Sequence, residues 1–175
     1  GVTSTDEIWG SDEAASYLRS VPCKFDEEEP WSSWIVELPW KMLEDRIREK
    51  GEGTVLRSVT VTRRSESGAA TALEAVSDKD SCIIENEYEI RKFLAPVNCM
   101  ITEKDGTETA GGSLLPSAYF ELERTQNGNL QVRGKGYGHG VGMSQTGADK
   151  MAEQGYDYRE ILDYFFRNIT VENLG

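Results

Sequence analysis

The sequence predicts an α+β fold: a mixed or antiparallel sheet with short helices, then a glycine-rich loop and two C-terminal helices. Three observations carry this. β-Branched or alternating stretches recur at 34–36, 55–62, 71–76, 119–122 and 130–132 with the two-residue period of half-buried strands. Between and after them lie segments with a 3.6-residue apolar face. Those segments carry recognisable helix starts and stops.

In chain order, the first thirty residues are loop-rich and end in Asp26-Glu27-Glu28-Glu29-Pro30, a charge run that reads as a solvated turn. WSSWIVELPW gives a strand through Ile35 and Val36 that breaks at Pro39. A helix follows over 39–50: proline suits a first turn, Trp40, Leu43 and Ile47 share a face, and Gly51 supplies the stop. Val55 to Thr62 alternates as a strand, SESG (65–68) turns, and Thr71 to Val76 returns as its hairpin partner. Asn86 with Glu89 resembles a capping box and opens the helix EYEIRKFL, closed by Ala95-Pro96. DGTETAGG (105–112) reads as a turn-rich excursion, and strands centre on 119–122 and 130–132. Ser144 is an N-cap for a helix through Ala148, Met151 and Ala152, ended by Gly155. Asp157 with Glu160 forms a second capping box, and Tyr158, Ile161, Leu162 and Phe165 give the last helix its apolar face.

The 175 residues suffice for one domain with a sizeable core, or for two small lobes sharing a cleft, and no apolar run approaches a membrane span. Thirty-one acidic against 19 basic residues leave a net charge of −12. The longest basic cluster is Arg63-Arg64, so a nucleic-acid partner is not expected. One histidine and three cysteines (Cys23, Cys82, Cys99) without a CxxC pair make a structural zinc site improbable within the chain. Cys82 and Cys99 form a pair, or, the commoner reading, all three are small buried thiols. Trp31, Trp34 and Trp40 fill the chain's own core or face a partner.

Lys135 to Ala152 reads KGYGHGVGMSQTGADKMA and holds the only histidine, His139. Glycines at 134, 136, 138, 140 and 142 either permit positive φ or admit close approach to the backbone. If the segment is extended, this period of two leaves one face bare, suited to a second segment or a polymer lying flat. The helix N-terminus that follows favours anions and oxygen-rich ligands. A lone histidine is more often a hydrogen-bonded structural residue than a catalyst. Ser144 beside His139 invites a Ser-His hydrolase, yet the GxSxG elbow is missing and an N-cap accounts for the serine. No Lys-Ser or Lys-Thr follows the glycines, which excludes a nucleotide-binding loop. Gln145, in the first helical turn, reaches a ligand or faces solvent.

GYGHGVGMSQTGADKMAEQGYDYREILDYFFRNITV resembles the C-terminal signature of stage II sporulation protein D and its amidase-enhancer (LytB) relatives. IWGSDEAASYLRSV, EIRKFL and LLPSAYFELE agree with that family in order, so the resemblance runs from about Trp9 to Val171. It implies an extracytoplasmic protein, membrane-anchored in its native form, whose partners are peptidoglycan glycan strands and a cell-wall amidase. The implied activity is that of a lytic transglycosylase on strands stripped of stem peptides, in wall remodelling during sporulation and engulfment. A carboxylic acid of raised pKa protonates the glycosidic oxygen and then serves as base while the 6-hydroxyl closes a 1,6-anhydro ring.

The resemblance places the family's catalytic glutamate in a Ser-Glu-type motif ahead of the segment that matches IWGSDEAASYLRSV, and no such motif stands there in this sequence. Residues 1–175 therefore read as a single domain, the C-terminal portion of a sporulation protein D-like domain. Its N-terminal catalytic segment is a further partner, and the chain's start at Gly1 reads as a cleaved tag or an excised fragment. No cofactor is implied, and zinc enters only through the family's N-terminal half. The substrate-binding residues carried over are Tyr17 and Arg19 from SYLRSV, and Tyr137, His139, Ser144 and Gln145 from the signature block. Tyr17 and Arg19 supply a stacking aromatic and a cation, or are a buried tyrosine and a surface arginine. An alternative in another class is a non-catalytic wall-binding or amidase-activating module, and a third is a lobe completing another half's core.

Overall fold

The computed structural model describes residue 25 and residues 28–65, 68–140, 142–166 and 169–172. Two compact units divide the chain: Pro30–Gly140, and a second made of Gly1–Glu29 with Val141–Gly175. All eight strands found among the described residues belong to the first unit.

That unit starts with a 3-10 turn, Pro30–Ser32, and strand β1, Trp34–Leu38. Helix α1 (Trp40–Glu49) follows, then β2 (Leu56–Arg64), β3 (Ala70–Ser77) and β4 (Ser81–Glu85). Helix α2 (Glu87–Phe93), β5 (Met100–Glu103), β6 (Glu108–Ala110), β7 (Phe120–Arg124) and β8 (Leu130–Gly134) complete it. The strands form two antiparallel sheets, one ordered β6-β5-β1-β8-β7 and one ordered β2-β3-β4. The α+β class with two helices after the glycine-rich loop is as the sequence predicts.

Strand β1 is central because its alternation is strict. Trp34, Val36 and Leu38 are 0–1% exposed while Ile35 and Glu37 face out. Its neighbours present the same face: Ile101 of β5, and Leu130 and Val132 of β8. Helix α1 buries Leu43 and Ile47, and Gly51 ends it in the left-handed region at φ 77°, donating to the Arg48 carbonyl. Pro39 stands at the N-cap position, one residue ahead of the first helical turn where the sequence places it. Leu73, Ile84, Ile90 and Phe93, from the small sheet and α2, join the same core as the β1 residues. The β2–β3 hairpin carries register shifts between Leu56 and Ser58, Val61 and Arg63, and Arg63 and Arg64.

Three departures from the sequence reading have local causes. Thr107 to Ala110, assigned to a turn-rich excursion, contains edge strand β6, which pairs with Met100–Thr102 across the Asp105-Gly106 turn. Strands β4 and β5 go unannounced because each is short and mixes polar with apolar residues. Cys82 and Cys99 are free and only half-buried, and burial pushes both thiols upward in pKa. Cys23 lies outside the described residues.

In the second unit, helix α3 (Gln145–Glu153) is capped by Ser144, whose Oγ accepts from the Gly147 amide at 3.1 Å. Helix α4 (Tyr158–Phe165) starts in a complete Asp157–Glu160 capping box. Phe25 meets Tyr156 and Tyr164 edge-on, with ring centroids 6.0 and 5.4 Å apart. Glu29 forms an ion pair with Lys150. No helix of the described residues is long and apolar enough to cross a membrane.

Candidate functional site: the anchored Gly-Tyr-Gly-His loop

The site is best built from α2 outward. Asn86 caps this helix by accepting from the Glu89 amide at 2.9 Å. Glu87 and Glu89 sit in its first turn and Arg91 and Lys92 in its last, each complementing the helix dipole. Glu87 and Arg91, one turn apart, form an ion pair whose side chains are 7% and 11% exposed. Removing one partner of such a pair costs about 3–5 kcal/mol, because the other charge stays buried.

The remaining donors of Arg91 leave the helix. Its Nε donates to the Leu115 carbonyl at 2.8 Å and its Nη2 to the Pro116 carbonyl at 3.2 Å, while the Leu115 amide donates back to the Arg91 carbonyl at 3.0 Å. The segment 115–119 is thus fastened to α2. It is also fastened to the small sheet, since the Ala70 amide donates to the Ala118 carbonyl at 2.9 Å.

This segment in turn holds the glycine-rich loop. The Gly138 amide donates to the Pro116 carbonyl at 2.8 Å and the Lys135 amide to the Tyr119 carbonyl at 2.9 Å. Ser117, 2% exposed, donates from Oγ to the Lys135 carbonyl at 2.5 Å. From the other side, Trp34 donates through its indole Nε1 to the Gly136 carbonyl at 2.9 Å. EIRKFL, LLPSAYFELE and KGYGHG, far apart in sequence, are one connected hydrogen-bonded assembly.

The alternating glycines do not make an extended bare face. Gly136, Gly138, Gly140 and Gly142 all have positive φ, between 70° and 110°, so the segment winds instead of running straight. Gly134 is different. It lies in β8, and a Cβ built there would stand 2.0 Å from Trp34 Cζ2. Close approach to the backbone is therefore made at this glycine by an indole of the same unit, and the other glycines supply conformational freedom.

Besides the exposed Lys135, the loop presents two ring side chains. Tyr137 is 72% exposed and leans on Trp31, with ring centroids 4.9 Å apart at 58°. The turn carrying Trp31 is tied to the end of β5 by the Lys104 amide, which donates to the Pro30 carbonyl at 2.9 Å. His139, two residues on, is exposed. A phenol ring offers an apolar face with a polar tip, and a neutral imidazole both donates and accepts. That chemistry suits a hydroxyl-rich, uncharged ligand.

Of the other residues singled out in the sequence, Ser144 and Gln145 belong to the second unit, so the block GHGVGMSQ is divided after Gly140. Ser144 is the α3 N-cap, and Gln145, the first residue of that helix, is exposed. Tyr17 and Arg19 lie outside the described residues. Sequence reading missed Arg91 and the contact of Trp31 with Tyr137; the Glu87/Arg91 spacing inside EYEIRKFL is the one signal that points to the first.

Carboxyl groups complete the electrostatics. Asp45, Asp78 and Asp105 are all held below the usual aspartate range, chiefly by the Lys41 ammonium, the Val55 amide and the Thr107 amide respectively. Glu103, 8% exposed on β5 opposite Trp34, accepts from the Thr109 hydroxyl. Of the acidic run, Glu28 is exposed, and Asp26 and Glu27 lie outside the described residues. Among the described residues no group of three or more His, Cys, Asp or Glu side chains is gathered to hold a metal ion.

The family described as "Domain of unknown function (DUF8618)" matches residues 11–142. An uncharacterized protein of Brachyspira hyodysenteriae is 41% identical over 71 residues, which are 41% of this chain and 19% of that protein. Stage II sporulation protein D of Bacillus amyloliquefaciens is 44% identical over 57 residues, 33% of this chain and 16% of its own length. Amidase enhancer of Bacillus subtilis is 38% identical over 61 residues, 35% of this chain and 8% of its own. The chain thus spans less than a fifth of the length of these curated relatives.

Proposed function

Because the chain belongs to the DUF8618 domain family and is related to stage II sporulation protein D and amidase enhancer, we propose that it acts outside the cytoplasm on bacterial peptidoglycan. It is one wall of the glycan groove of a lytic transglycosylase that cleaves strands denuded of stem peptides. The observation that carries this reading is the anchored loop, an otherwise fixed backbone that presents an exposed aromatic and the chain's only imidazole side by side. In this reading Tyr137 lies against a sugar ring and His139 hydrogen-bonds to sugar hydroxyls or to the loop carrying the acid.

Residues 1–175 act as the C-terminal portion of a larger catalytic domain, and the general acid comes from its N-terminal segment. Tyr17, Arg19, Ser144 and Gln145 are the further residues that the resemblance assigns to substrate binding. The groove itself uses no cofactor. Digestion of purified denuded glycan, with mass spectrometry of the products, tests the reading. Anhydro products are expected when the catalytic segment is supplied, with lower yield from His139→Ala of unchanged unfolding temperature. A fully active His139→Ala removes the imidazole from the groove.

A second reading is favoured by a separate observation. Among the described residues, the carboxyls with displaced titration, Asp45, Asp78 and Asp105, are all displaced downward, opposite to what a general acid needs. The chain is then a module that binds the wall and activates an amidase, as the name amidase enhancer suggests of that relative. It predicts retention on sacculi and faster amidase turnover with no sugar product. Loss of both sinks it.

A further inference from the structure

The Glu87–Arg91 pair is more than a helix staple, because the guanidinium spends two of its three bonds on the carbonyls of Leu115 and Pro116. The Pro116 carbonyl is shared: it accepts from Arg91 Nη2 at 3.2 Å and from the Gly138 amide at 2.8 Å. Gly138 directly precedes His139 and sits at φ 110°, a conformation an ordinary residue rarely adopts. One residue further along the same segment, Ser117 fixes the other foot of the loop at Lys135.

We propose that Arg91, itself oriented by Glu87, is a positioning residue for the ligand-facing loop: through the Pro116 carbonyl it sets where Gly138, and hence His139, stands. The role in ligand binding rests on the function proposed above, whereas the mechanical coupling stands without it. The fork geometry of arginine is what the site uses. A lysine supplies a point charge for Glu87 but cannot meet both carbonyls in one plane.

The test exploits the single histidine, which gives one set of imidazole signals in the NMR spectrum of the chain. Arg91→Met with Glu87→Leu removes the tether without leaving a buried charge. Arg91→Lys keeps the ion pair but loses the fork. Both variants are compared with the parent by imidazole chemical shift, by backbone amide shifts of the β2–β4 sheet, and by retention on denuded glycan. The imidazole signals are expected to move or broaden in both variants while the β2–β4 amides stay in place.

Glycan affinity should fall about tenfold, within the range that positioning residues exert on a site they do not touch. An imidazole spectrum unchanged in whichever variant folds overturns the proposal. A moved imidazole in a chain whose parent binds no glycan supports the coupling and refutes the glycan reading instead. Unchanged affinity with a moved imidazole removes His139 from the binding surface but leaves Arg91 as its positioner.

Discussion

Gly134→Ala isolates the packing on which the loop rests. The new Cβ would stand 2.0, 2.3 and 2.5 Å from Trp34 Cζ2, Cη2 and Cε2, roughly 1.5 Å inside ordinary carbon–carbon contact. Trp34 has no free space to retreat into, being 1% exposed, and its Nε1 is committed to the Gly136 carbonyl at 2.9 Å. Overpacking costs about 1–3 kcal/mol. An indole N–H torn from its acceptor inside the core adds about 1–3 kcal/mol. The sum of about 2–6 kcal/mol corresponds, at about 2–4 °C per kcal/mol for a chain of this size, to a fall of about 4–24 °C in Tm. Gly136→Ala is the control. It meets no atom within 4 Å, but its φ of 70° imposes a left-handed backbone cost of about 1–2 kcal/mol. Urea unfolding followed by tryptophan fluorescence measures both. A Gly134→Ala chain within about 0.5 kcal/mol of the parent refutes the reasoning, as does one more stable than Gly136→Ala.

Three further outcomes are expected. Asp78 is held low by the Val55 amide, the Thr54 amide and the Thr54 hydroxyl, so its stabilising contribution is complete above the unfolded value of about 3.9 and is lost as pH falls below it. Asp78→Asn should therefore flatten the acid limb of the stability–pH curve, and an unchanged limb contradicts this. Ser144→Ala should speed amide exchange at Gly147 about fivefold for the loss of about 1 kcal/mol of cap. Ser144→Asp, a cap without a hydroxyl, should restore protection. Arg46 donates to the Phe93 and Ala95 carbonyls at 2.5 and 2.6 Å, satisfying the C-terminal end of α2. Arg46→Met should then cost about 2–3 kcal/mol in denaturant unfolding.

The elements legible in the sequence are those whose information is local. The β2–β3 hairpin has β-branched residues on both sides of a Ser-Gly turn, and the α3 and α4 caps sit within three residues of the amides they satisfy. Strands β5 and β6 were not legible. MITE and ETA have no apolar run of their own and become strands by pairing with β1 and with each other. The glycine stretch misled for a related reason. A period of two is the signature of a strand, yet four of its five glycines are used for positive φ. At the site, the exposed Tyr137 and His139 follow from the motif itself. Arg91 does not, because it acts on carbonyl oxygens 24 and 25 residues further along, and every residue type carries the same carbonyl.

The irregular register of β2 bears on how the chain behaves in company. Nine residues long, rich in valine and threonine, and at the border of its three-stranded sheet, β2 is the kind of edge that invites a neighbouring molecule to add a strand. Three register shifts break the even spacing of its outward N–H and C=O groups. Arg57 stands exposed along it, so a second copy approaching side by side meets a charged side chain on that edge. The net charge of −12 adds a long-range repulsion between copies of the chain.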